Sequence, residues 1–86
     1  MMDVQLEKKF GKHIRALRLS AGLTQEQVAA RLQVSGVDLT RSALAKIEAG
    51  QRHIYLEEIL GLQKALEVSY DELLRFAEGK NRDNSI

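Results

Sequence analysis

Residues 23–50 read LTQEQVAARLQVSGVDLTRSALAKIEAG, and they hold two short helix starts built to one rule. In the first, Thr24 can cap the open backbone amides and Gln27 can reach back as the reciprocal partner. Leu23 and Val28 occupy the two positions of a hydrophobic staple. In the second, Leu39, Thr40 and Leu44 repeat the cap and the staple, without the Gln or Glu partner. Val28, Ala29 and Leu32, then Leu44 and Ile47, supply one apolar face each. Gly50 stops the second segment by taking a backbone conformation that other residues avoid. The pattern predicts helices over 24–32 and 41–49.

The same grammar extends both ways. Upstream, Leu6, Phe10, Ile14 and Leu17 recur at steps of four, four and three, predicting a helix over 4–21 that Gly22 ends. Downstream, Ile54 and Ile59 staple a start around Tyr55, a poor cap helped by Glu57 and Glu58 in the positive first turn. Val68 and Ser69 with Glu72 and Leu73 give both capping box and staple. Helices are predicted over 56–66 and 70–78, with Gly79 as the last stop. Residues 1–79 form one domain, and 80–86 (Lys-Asn-Arg-Asp-Asn-Ser-Ile) read as a flexible, frayed tail. Gly61, inside the fourth helix, costs about 1 kcal/mol against alanine and implies close approach of a neighbouring helix. Gln33 to Leu39 reads as a flexible or partly ordered turn around Gly36.

Composition narrows the class. The chain has 86 residues, room for one small domain and no sizeable pocket. Without cysteine there are no disulfides, cysteine–zinc sites or thiol chemistry. No proline and 5% aromatic residues favour an all-α fold of five helices over a sandwich or barrel. No apolar run approaches the roughly 20 residues of a membrane span and no signal peptide is evident, so a cytoplasmic protein is expected. The net charge of +1 conceals a gradient. Residues 1–52 hold nine basic and five acidic side chains, and residues 53–86 hold four and seven. The split suggests one face for a polyanion and another for something else.

Leu23-Thr24-Gln25 with Val28-Ala29, then Ala43-Leu44, Lys46-Ile47-Glu48 and Gly50, resemble the Cro/C1-type (Xre family) helix-turn-helix. Ala65-Leu66-Glu67-Val68-Ser69 with Glu72-Leu73-Leu74 is similar to the close of that domain, so the likeness covers about Phe10 to Phe76. It departs at one place. The family has a glycine directly after the second helix, where this chain has Gln33 and extra residues before Thr40. The resemblance implies a five-helix, lambda-repressor-like bundle. It also implies a sequence-specific DNA-binding transcriptional regulator, a repressor of prokaryotic or phage type, acting on nucleoid DNA. In similar proteins the residues matching Arg18 and Glu48 form a structural salt bridge, and the residue matching Gln25 touches the DNA backbone.

On that architecture Leu44 and Ile47 face the core, which leaves Arg41, Ser42 and Lys46 on the outer side of the third helix as candidate base contacts. Arginine reads guanine through two parallel hydrogen bonds, and serine discriminates less. Thr24, Gln25, Thr40, Gln51 and Arg52 are candidate phosphate contacts at helix ends, with Arg15 and Lys12 weaker ones. The bland reading of each exposed cation is a solvated charge. His13 and His53 read as surface or half-buried residues, and no metal or cofactor is expected. Tyr55, Tyr70, Phe10 and Phe76 read as core or interface fillers. No phosphate loop, serine elbow or histidine–carboxylate set marks an enzyme. The expected partner is double-stranded DNA, bound by a homodimer through Leu74, Phe76 and Ile86. The alternative is an antitoxin-like or adaptor module holding a protein partner, with DNA binding secondary.

Overall fold

The computed structural model describes residues 4–77. Five helices follow one another: α1 (Val4–Ser20), α2 (Gln25–Val34), α3 (Arg41–Glu48), α4 (Leu56–Leu66) and α5 (Tyr70–Leu74), with a 3₁₀ turn at Arg75–Ala77. No strand occurs among the described residues. α3 packs on both α1 and α2, α2 also packs on α4, and α5 with the 3₁₀ turn folds back on α1. The fold is the all-α bundle expected. Gly79, Ile86 and the 80–86 tail lie outside the described residues.

The caps act as their residue types dictate. Thr24 Oγ1 accepts from the Gln27 amide at 3.0 Å, and Gln27 Oε1 accepts from the Thr24 amide at 2.9 Å, closing the box. Thr40 accepts from Ala43 at 3.1 Å, and Ser69 from Glu72 at 3.0 Å. The box expected at α5 is only half made, because the Glu72 carboxylate pairs with Arg75 at 2.9 Å. At α4 the tyrosine side chain makes no cap bond, but Glu58 accepts from the Tyr55 amide at 3.0 Å.

The link after α2 differs from expectation in an informative way. α2 runs to Val34, two residues beyond its expected end. Gly36 then takes φ +89°, and its amide bonds to Gln33 O while the Val37 amide reaches Leu32 O. This is a Schellman stop. The glycine that the family places earlier does the same work here, after a longer helix. The segment is an ordered connection, since Gln33 Nε2 donates to Asp38 at 3.2 Å and Leu39 is fully buried. α4 ends with the same bond pattern, with Glu67 at φ 57° where glycine would cost less. Arg31 steadies that end by donating to Ala65 O at 2.8 Å and pairing with Glu67.

Phe10, Ile14, Val28, Leu32, Leu39, Leu44, Ile47, Leu62 and Leu73 form one core. Two glycines set how closely its helices meet. A Cβ on Gly61 would lie 2.8 Å from Val37 Cγ2 and 2.9 Å from Leu32 Cδ2, so α4 rests on the end of α2 and on the turn. A Cβ on Gly11 would collide with the carbonyl oxygen of Ile47. Side-chain methyls can shift, whereas a helix carbonyl cannot. Gly61→Ala should therefore lose about 1–3 kcal/mol of packing, offset by about 1 kcal/mol of helix propensity. Gly11→Ala should cost more than Gly61→Ala. Urea midpoints of the two variants against the parent measure this order.

Candidate nucleic-acid interface

The interface is built around α3, which has only 8 residues and cannot persist by propensity alone. Leu44 and Ile47 hold one face of it in the core. Its last residue, Glu48, is buried and gripped from two sides. Arg18 Nε donates to Glu48 Oε2 at 2.7 Å, and Arg18 Nη2 donates to Oε1 at 2.9 Å. Gln25 Nε2 adds a bond to Oε1 at 3.0 Å. Arg18 Nη1 meanwhile donates to Leu23 O at 2.9 Å. The side chains of Arg18 and Glu48 are 8% and 2% exposed, so this pair is withdrawn from water. The hydrogen bond to Glu48 raises the Arg18 pKa further above its ordinary value, burial opposes that, and the nearby negative charge adds to it. Arg18 is therefore charged at any physiological pH.

With its C-terminal end anchored, α3 turns its first residues outward. Arg41, Ser42 and Lys46 are exposed, and their side chains make no hydrogen bond or ion pair among the described residues. Thr40 and Thr24 are exposed caps, Gln25 is half-buried and Gln51 is exposed. Arg41 shares a polar groove of about 500 Å³ with Arg15, Arg18, Thr24, Gln25 and Glu26. The groove therefore joins the start of α2, the start of α3 and the side of α1.

Arg52 is placed differently from the other candidates. It forms a two-pronged pair with Glu58 (2.9 Å for each arm), donates to His53 O at 2.8 Å, and lies 5.6 Å from the Tyr55 ring centroid. A guanidinium so occupied is less available to a phosphate than the expectation assumed. Its observed work is to hold the loop between α3 and α4. Glu58 shows both sides of that contact. Burial pushes its carboxyl up, but the hydrogen bonds from Arg52 and the Tyr55 amide, with the Arg52 charge, leave it below its ordinary value. His53 Nδ1 donates to Glu7 at 2.9 Å, and His13 Nε2 donates to Glu72 O at 2.7 Å. No group of three His, Asp or Glu residues that could hold a metal occurs among the described residues. Phe76 is half-buried and packs on Phe10 at 5.1 Å between ring centres. Two positioning features escaped the sequence reading. Gly11 had a visible signal, a glycine amid a strongly periodic helix. The Arg52–Glu58 pair had none beyond two opposite charges near one helix start.

Two short capped helices packed on each other, the second with a cationic first turn that has no side-chain partner among the described residues, are the arrangement found in a helix-turn-helix. A family model described as helix-turn-helix matches residues 14–73. The chain is 37% identical over 68 residues to control protein C.BamHI of Bacillus amyloliquefaciens, covering 78% of each. It is 35% identical over 82 residues to the HTH-type transcriptional activator BcrR of Enterococcus faecalis, of whose length it spans 38%. In structure it is similar to the restriction-modification controller protein C.AhdI from Aeromonas hydrophila, with TM-score 0.73 and 37% identity over 83% of this chain and 96% of that one. The clp gene regulator ClgR from C. glutamicum, at 22% identity and TM-score 0.73, shares the fold. The chain belongs to the Cro/C1-type helix-turn-helix family, whose fold is that of DNA-binding transcriptional regulators.

Two outcomes follow from the ion pairs. Glu48→Ala strands a buried guanidinium and should cost about 3–5 kcal/mol, much of what a domain this size has to lose. Urea unfolding at neutral pH measures it. Because the folded pKa of Glu58 is depressed, its contribution is present above the ordinary value of 4.5 and is lost as pH falls through the lower folded value. Melting temperatures from pH 6 down to about pH 2 should fall more steeply for the parent than for Glu58→Gln.

Proposed function

We propose that the protein is a sequence-specific transcriptional regulator that inserts α3 into the major groove of double-stranded DNA and represses by occupying its operator. The observation that carries this is the contrast within α3. Glu48, Leu44 and Ile47 are locked, while Arg41, Ser42 and Lys46 stand exposed without partners among the described residues. Arg41, in the first turn, is the proposed reader of guanine, with Ser42 beside it and Lys46 a turn later on a base or a phosphate. Thr24, Gln25, Thr40 and Gln51 are the proposed phosphate contacts. Thr24, Gln25 and Thr40 sit at helix starts, where the backbone favours anions. Arg52 is proposed to act mainly by holding Gln51 in place.

A single domain with so few base contacts binds weakly, so a homodimer on a palindrome is part of the proposal. Five of the eight large apolar side chains exposed among the described residues lie on α4, its cap or α5: Tyr55, Leu56, Leu60, Tyr70 and Leu74. That surface, which includes Leu74 and adjoins the half-buried Phe76 in sequence, is the proposed dimer face. No helix among the described residues is long and apolar enough to cross a membrane, which accords with action on nucleoid DNA in the cytoplasm. Random-site selection should return a palindrome with half-sites about one helical turn apart. On that operator Arg41→Ala should lose about 1–3 kcal/mol and relax preference at one position per half-site. A selection without enrichment, or an unaltered consensus with Arg41→Ala, overturns the assignment.

A further inference from the structure

α1 carries a second cationic surface that the base-reading helix does not use. Lys8, Lys12 and Arg15 follow at steps of four and three, so they share a strip about 60° wide and about 10 Å long. All three are exposed, and their side chains have no hydrogen-bond or ion-pair partner among the described residues. The neighbouring acids are already engaged. Glu7 takes His53, and Glu48 takes Arg18 and Gln25. Glu26 lines the groove it shares with Arg15.

Like charges at these spacings destabilise a helix, and a surface laid out for solubility intersperses both signs. The strip also has a fixed place. On the helix circumference it adjoins Gly11 and Arg18, which face α3. At one end the Lys8 stem lies against Gly50, next to Gln51. At the other, Arg15 lines the groove with Thr24, Gln25 and Arg41. It is therefore continuous with the DNA-facing surface at both ends.

We propose that Lys8, Lys12 and Arg15 form a rail for the phosphate backbone of the same duplex, outside the segment that α3 reads, adding affinity without sequence preference. This rests on the DNA-binding function proposed above. Successive phosphates of one strand are spaced closely enough for a strip of this length to meet two or three of them.

The test is the salt dependence of binding to a duplex of about two helical turns, carrying either the selected operator or a scrambled sequence. Every phosphate that a variant no longer neutralises lowers the slope of log K against log salt by about 0.9. The triple variant Lys8→Gln, Lys12→Gln, Arg15→Gln should flatten it by about two to three. Affinity should fall by the same factor on both duplexes, and the melting temperature should not drop, since these side chains hold no hydrogen bond or ion pair among the described residues. Lys12→Gln alone should flatten the slope by about one. Lys9→Gln makes the same charge change about 100° round the helix and should leave the slope as in the parent. An unchanged slope in the triple variant overturns the rail while leaving DNA binding intact, as does a Lys9→Gln effect of equal size. A parent protein that binds neither duplex overturns both the rail and the function on which it rests.

Discussion

The orientation of α3 depends on a buried charge pair between Arg18 and Glu48. The guanidinium is planar and meets the carboxylate with two bonds, so it fixes direction as well as distance. Its third bond, to Leu23 O, ties in the turn before α2, and Gln25 joins from the start of α2. Two segments, α1 and the start of α2, thus converge on one carboxylate of α3, and the turn before α2 joins through the guanidinium. An apolar contact of the same size could hold them together, but it would not specify how far α3 rotates or how deeply it is seated.

Gly11 makes that convergence possible. Without a Cβ there, α1 approaches the carbonyl end of α3 closely enough for Arg18, two turns further along, to reach Glu48 with little reorganisation. The loop that follows is fastened in turn. Arg52 and Glu58 clamp it against α4, and His53 links it to Glu7 on α1. Fastening is concentrated at the C-terminal end of α3 and after it. The N-terminal turn is held by its Thr40 cap and by the packing of Ala43 and Leu44 on the core, while the Arg41 and Ser42 side chains have no partner among the described residues. Rigid support at one end and exposed donors at the other is the arrangement a groove-reading helix requires.

The link between α2 and α3 shows how one structural solution tolerates a change in length. The glycine stop moves with the end of α2, so the Schellman bonds form three residues further along than the position Gln33 occupies. Val37 then fills the space over Gly61, and Leu39 re-enters the core ahead of the Thr40 cap. The extra residues are absorbed by apolar contacts, and α3 still packs on both α1 and α2.

Helix number, order and most boundaries were legible in the sequence because caps, staples and stops are local. Thr24, Thr40 and Ser69 bond amides three residues away, whatever the rest of the chain does. The core was legible for the same reason, through periodicity. Which charges are spent and which are exposed was not. Arg41 and Arg52 look alike as letters, yet one has no partner among the described residues and the other is held by Glu58, His53 O and the Tyr55 ring. Phe76 read equally as a core or an interface filler, and it packs on Phe10. Such pairings depend on where whole helices come to rest, and only the tertiary structure sets the distances over which charges and rings find one another.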